Sequence, residues 1–237
     1  MAGSMNLTTF LRHTAIPLLD FIYPPSCLIC RRPPEDHSQK VCASCWQSIQ
    51  QLSLHHPLYL ETRQKLLCDH YIQDLVSCYL FEKEGAFQHI AHALKYQEFK
   101  SLGIELGKQI GHTMQRRNID ADVIIPVPLH KRKYRERGYN QAEYLAKGIA
   151  LVFDKPILSS VLQRKRYTQT QTKLSAEERC NNMQGAFVIL DTNIINGKIC
   201  LLVDDVITTG ATINACAKEL IHGGASKIIA ASSALAQ

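Results

Sequence analysis

The stretch Ile199-Cys200-Leu201-Leu202-Val203-Asp204-Asp205-Val206-Ile207-Thr208-Thr209-Gly210-Ala211-Thr212 decides the fold. Five consecutive apolar residues, Ile199–Val203, predict a strand buried on both faces, with Lys198 opening it. Two carboxylates stand at its end, and a Thr- and Gly-rich turn then opens a helix predicted to reach about His222. Successive amides in such a turn, with the helix dipole behind them, form an anion cradle. The hydroxyls of Thr208, Thr209 and Thr212 add donors, and the backbone of Gly210 and Ala211 completes the turn. Acceptors beside donors suit a sugar phosphate, with hydroxyls on Asp204 and Asp205 and phosphate on the turn. For any short fragment of this stretch, a helix cap built from Asp and Thr is the plainer reading.

Working outward, strand and helix signals alternate. Strands are predicted over Leu75–Phe81, Asp122–Val127, Ala186–Leu190, Lys198–Val203 and Lys227–Ala231. Helices are predicted over Phe87–Tyr96, Leu102–Gln115 and Tyr139–Phe153, with Leu102, Leu106, Ile110 and Met114 on one face of the second. This order predicts an α/β fold: a parallel sheet flanked by helices. Ligands of such sheets bind beyond the carboxyl ends of the strands, so the loops after Val127 and Val203 are the candidates.

The charge distribution points to the same loops. The 237 residues carry a net charge of +6, with 46% apolar and 20% charged side chains, which excludes a disordered chain. Residues 130–173 hold eleven basic side chains against three acidic ones, so this one segment contains all of the excess. Its first cluster lies in Pro126-Val-Pro128-Leu129-His130-Lys131-Arg132-Lys133-Tyr134-Arg135-Glu136-Arg137-Gly138, a rigid Pro-x-Pro exit followed by a loop. The second runs from Arg164 to Lys173 and includes Arg166. Either both are a solvated basic surface or they contact an anionic partner. Tyr134, Tyr139 and Tyr167 stand among these basic residues and could stack bases or pack inward, as Tyr139 should. No apolar run approaches the roughly 18 residues of a membrane helix, and a cytoplasmic protein is expected.

Four of the nine cysteines form two Cys-x-x-Cys pairs, Cys27/Cys30 and Cys42/Cys45. Two such knuckles complete the tetrahedron that structural Zn²⁺ accepts, and the polar loop between them has no core of its own. Two disulfides are the alternative, disfavoured in a reducing compartment; His37, Cys68 or His70 could replace a ligand. Cys78, Cys180, Cys200 and Cys216 read as small core residues, and Trp46 as an anchor of the module or a base platform. Met1–Ser4 reads as an expression scar, and Asn6–Tyr23 as an amphipathic helix. Residues 47–73 read as a polar linker. The domains expected are therefore 5–73, with the zinc module, and 74–237.

The Asp204–Thr212 turn resembles the signature of the phosphoribosyltransferase superfamily, whose members bind phosphoribosyl pyrophosphate (PRPP). Cys27–Cys45, His92-Ala-Leu-Lys95-Tyr96, Pro126–Gln141, Arg166–Gln171, Arg179–Phe187 and the Asp204 turn together resemble the competence-protein F (ComF) family. Many relatives carry further cysteines after the Trp, whereas 47–67 has none here. The resemblance implies a phosphoribosyltransferase domain behind a zinc-bearing segment, linked to DNA uptake in natural transformation. It implies PRPP with Mg²⁺ on Asp204, Asp205, Thr208, Thr209, Gly210, Ala211 and Thr212. Pro128, Leu129, His130 and Arg137 would take the pyrophosphate. Asp204, Asp205 and Arg166 form the expected catalytic set. Phosphoribosyl transfer to an acceptor and a non-catalytic role, as a PRPP sensor or an adaptor for single-stranded DNA or an uptake protein, are both open at this point.

Overall fold

The computed structural model describes residues 26–36, 39–97, 99–165 and 185–236. The helix expected over Asn6–Tyr23, His37, Tyr167, Cys180, Arg166 and most of the second basic cluster lie outside these residues. The chain divides into two compact units between Ile49 and Gln50. The first contains the four-cysteine loops and a short helix, α1 (Ala43–Ser48). Among the described residues no helix is long and apolar enough to cross a membrane.

The second unit begins with a correction to the linker reading of 47–73. Pro57–Cys68 forms helix α2, started by Pro57 and by His56 Nδ1, which accepts from the Leu58 amide at 3.2 Å. It buries Leu58, Tyr59, Thr62 and Leu66, and Tyr59 donates its hydroxyl to the Leu75 carbonyl at 2.7 Å. The polar and apolar residues of α2 are scattered around the helix, so no periodicity announced it.

The strands β1 (Asp74–Phe81), β2 (Val123–Pro126), β5 (Ile199–Ile207) and β6 (Lys227–Ala236) form one parallel sheet in the order β1-β6-β5-β2. Between them run α3 (Ala86–Tyr96), α4 (Lys100–Arg116), α5 (Lys131–Arg137), α6 (Gln141–Phe153) and α7 (Ala211–His222). The short strands β3 (Leu162–Arg164) and β4 (Phe187–Ile189) pair antiparallel as a separate ribbon. Single bridges cover both sheet edges: Ile124 bonds to Pro156 and Leu158, and Gln50 and Leu52 bond to β1. The expected α/β architecture with a parallel sheet is present.

Two strands run further than their apolar stretches. β5 continues through the carboxylates to Ile207, and β6 continues past Ala231 to Ala236. Ser232 and Ser233 carry β6 onward because their hydroxyls are satisfied inside the sheet. Ser232 bonds to Ser77 at 3.1 Å and to the Ala234 carbonyl at 3.0 Å, while Ser233 donates to the Asp205 carbonyl.

One face of the sheet packs Leu75, Cys200, Leu202 and Ile228 against Leu66, Ile213, Cys216 and Leu220 of α2 and α7. The other is covered by α4 and α6. These two helices approach so closely that a Cβ on Gly107 would lie 2.1 Å from the Leu145 carbonyl oxygen. A Cβ on Gly148 would lie 2.1 Å from that of Ile104.

Candidate functional site

The register brings the ends of β2 and β5 side by side: Pro126 pairs with Val203, and the Val127 amide bonds to the Val203 carbonyl at 2.8 Å. Both loops singled out from the sequence therefore open at one end of the sheet. After Ile207 the chain turns through Thr208, Thr209 and Gly210 into α7. Gly210 adopts φ 78°, which favours glycine, and a Cβ there would also press on the Leu66 side chain of α2 at 2.6 Å. Asp204, Thr208, Thr209, Gly210, Ala211 and Thr212 line one small concavity.

The two carboxylates do not share that concavity. Neighbours in a strand point to opposite faces, and Asp204 lines the turn while Asp205 receives Lys95 Nζ at 3.3 Å. Burial, then the charge of Asp205, pushes the Asp204 carboxyl up to about 7. Burial also pushes at Asp205, but Lys95, the Val206 amide and Arg137 outweigh it and hold that carboxyl below the ordinary range. One end of the site is thus proton-holding near neutrality and the other is a fixed anion.

The loop after β2 is not a loop throughout, because its basic residues form α5. His130 caps this helix, its Nδ1 accepting from the Arg132 amide at 3.2 Å, and Gly138 ends it at φ 75°. Arg137 donates to Gln141 Oε1 at 3.0 Å and lies 5.7 Å from the Tyr96 ring centre. Asn140 fixes the next helix to β2 by donating to the Val127 carbonyl at 3.0 Å. Lys133 is half-buried; burial first, then Arg137, Arg164 and Lys95, lowers its affinity for its proton. Burial followed by Arg164, Arg135, Lys131 and Arg132 does the same to His130. Pro128 and Leu129 line a separate groove with α5 and β3. Tyr139 is core, its hydroxyl bonded to the Leu94 carbonyl, whereas Tyr134 is exposed.

Lys95 and Lys133 were not among the site residues expected from the sequence. Lys95 stood in a motif, at the basic last turn of an amphipathic helix, but nothing local connects it to a carboxylate on β5.

In the first unit, the sulfurs of Cys27, Cys30, Cys42 and Cys45 lie within 4.8 Å of one another, with Cys30 Sγ 3.8 Å from Cys42 Sγ. A tetrahedral zinc–thiolate centre with bonds of about 2.3 Å has sulfur–sulfur edges of about 3.8 Å, so the set fits Zn²⁺. The Cys42 amide donates to Cys27 Sγ at 3.4 Å, supporting a thiolate. The Ser44 hydroxyl, followed by neighbouring groups around Cys45, lowers Cys42 to about 6, while burial pushes Cys45 up to about 12. A dication at the centre is what would let all four sulfurs ionise together. Cys68 and His70 are not part of this group, and Cys200 and Cys216 are buried core residues.

A double zinc ribbon domain model matches residues 18–57, and a phosphoribosyl transferase domain model matches residues 139–236. Competence protein F of Haemophilus influenzae is 40% identical over 108 residues, covering 45% of this chain and 47% of that protein. Competence protein ComFC of Bacillus subtilis is 34% identical over 104 residues, 43% of this chain and 39% of its own. The chain is similar to competence proteins and carries a match to the phosphoribosyl transferase domain. The alignment thus spans about half the length of the first of these relatives. The DNA utilization protein YhgH of Salmonella typhi is 28% identical over 225 residues, 86% of this chain and 94% of that one. Among solved structures, a glutamine PRPP amidotransferase from B. subtilis covers 60% of the chain and 30% of its own at 21% identity. Its TM-score of 0.42 is too low to bear on substrate or mechanism.

The double ribbon match contains only one set of four cysteines here. The purified chain should release about one zinc equivalent on thiol titration with a mercurial. Cys45→Ser should lower that content and the melting temperature together, and Cys68→Ser should change neither. Two equivalents would contradict a single centre.

Proposed function

We propose that this chain binds PRPP with Mg²⁺ at the carboxyl end of β5, in a cytoplasmic role that supports the handling of incoming DNA. The carrying observation is the join of β5 to α7, where Asp204 and the turn Thr208–Thr212 line one concavity. Amides and threonine hydroxyls of the turn would hold the 5′-phosphate, and Asp204 would accept from ribose hydroxyls. Asp205 would fix the orientation of Lys95, which with Lys133 and Arg137 forms a cationic wall for the pyrophosphate. Mg²⁺, arriving with the pyrophosphate, would neutralise leaving-group charge. The relatives named for competence and DNA utilization support the DNA role, with single-stranded DNA or an uptake protein as partner.

Calorimetry with PRPP and Mg²⁺ tests the binding. Because Asp204 holds its proton up to about pH 7, a ligand needing its carboxylate must displace that proton. Affinity should therefore rise by up to about tenfold per pH unit from pH 5.5 to 7 and then level. Measurements in two buffers of different ionisation enthalpy should show a proton released at pH 6.5 and less at pH 8. Absence of PRPP binding at both pH values would overturn the proposal. Pyrophosphate release across nucleobase and amine acceptors reads transfer; binding without release identifies a sensor or adaptor instead.

A further inference from the structure

Helix α5 carries five basic side chains, and the partners of its arginines differ in kind. Arg132 is held by a carboxylate, Glu136, at 3.1 Å, and the pair is neutral. Arg137 is held instead by an uncharged amide, its Nη1 donating to Gln141 Oε1 at 3.0 Å. The Tyr96 ring, its centre 5.7 Å from the guanidinium carbon, is uncharged too. Arg137 is therefore oriented from two sides and keeps its full positive charge. After burial, that charge is the first of those that loosen the proton of Lys133, so the two cations stand near one another.

Gln141 occupies a position where an amide is costly. It is 2% exposed at the start of α6, beside Asn140, whose side chain is taken up by the Val127 carbonyl and the Ala142 amide. With Oε1 turned to Arg137, Nε2 lies on the opposite side of the amide, and among the described residues it is buried without an acceptor. A buried donor left unbonded destabilises a fold, whereas an unbranched apolar side chain would fill the same space without that cost. Packing alone does not explain a glutamine here. A local choice that works against stability is expected where a site needs it.

We propose that Gln141 is a positioning residue: it holds Arg137 at the carboxyl end of β2 as an uncancelled cation for the pyrophosphate end of the ligand. The neutrality of the amide is what matters. A glutamate of the same shape would bind the guanidinium more strongly and cancel it, and an apolar side chain would leave it unaimed. The inference rests on the reading of this end of the sheet as a PRPP site and adds to it a residue that acts through Arg137.

Calorimetry on the full chain with inorganic pyrophosphate and with ribose 5-phosphate, each with Mg²⁺, reads the two ends of the ligand separately. Gln141→Met should weaken pyrophosphate by about tenfold and leave ribose 5-phosphate unchanged. Its melting temperature should hold or rise, because a buried unbonded donor has been removed. Gln141→Glu keeps the shape and the acceptor but adds a charge, so it should weaken pyrophosphate by more than Gln141→Met does. Pyrophosphate affinity unchanged in Gln141→Glu would overturn the proposal, since a merely structural bond survives that exchange. A Gln141→Met protein that melts lower and loses both ligands alike would overturn it as well. The two readings fail in different ways. A wild-type chain that binds neither probe nor PRPP removes the PRPP site and this inference with it, whereas pyrophosphate binding indifferent to both substitutions removes only the role of Gln141.

Discussion

Asp204→Asn and Asp205→Asn should each cut PRPP affinity by a factor of about 10 to 100 without unfolding the protein. The magnitude follows from hydrogen bonds to an ionised group, worth about 1.5–3 kcal/mol each. The two variants should differ in stability. Asp204 is half-buried at the turn with its carboxyl pushed up to about 7, so folding favours its neutral form. The destabilisation it brings is absent below the unfolded pKa, grows as pH rises towards 7 and is complete above that. Asn, neutral throughout, should therefore raise the melting temperature at pH 8 and leave it unchanged near pH 4. Asp205 is the reverse case: its depressed carboxyl stabilises the fold above the acid range and loses that contribution as pH falls. Asp205→Asn removes the partner of Lys95 and should lower the melting temperature at pH 8. Calorimetry and thermal melts at the two pH values read both effects. Wild-type affinity in either variant would remove that carboxylate from the site.

Gly107→Ala should cost at least about 3 kcal/mol in urea unfolding, the largest stability loss expected from adding a single methyl group. The new Cβ would meet the Leu145 carbonyl oxygen at 2.1 Å and Gly148 Cα at 2.9 Å, both backbone atoms of α6 that cannot rotate away. Gly148→Ala meets the Ile104 carbonyl in the same manner and should cost as much. Gly111→Ala meets only the Val152 side chain, nearest atom 2.9 Å, and should cost clearly less. Separation of α4 from α6 would also reach the site, because Asn140 and Gln141 at the start of α6 hold β2 and Arg137. Weakened PRPP binding should accompany the stability loss. Gly107→Ala no worse than Gly111→Ala would show that the helices are not in backbone contact.

Local chemistry made much of this legible. The strand before Asp204 was readable because a run of five apolar residues needs no partner to identify it. The turn after it was readable because Thr and Gly in that order prescribe backbone conformation. The cysteine pairs were readable because two intervening residues aim both sulfurs at one point. Helix α2 was not, because its buried stripe of Leu58, Thr62 and Leu66 includes a polar residue while the apolar Leu60 faces outward, so the burial is set by packing on β1 and β6. The extension of β6 was not, because Ser232 and Ser233 read as polar until their hydroxyls are seen bonded within the sheet.

The strand–turn–helix with its carboxylates, the segment that carries the positive charge, and the four-sulfur set are local features of the chain. Each is written in residues that are neighbours along the chain. Packing of the whole domain is what sets Asp204 toward the Thr208–Thr212 turn and Asp205 toward Lys95, and lays α5 beside β3. Those relations depend on the sheet order β1-β6-β5-β2, which sets the end of β2 beside that of β5. Strand order follows from how whole faces bury against α2, α4, α6 and α7, and no local pattern encodes it.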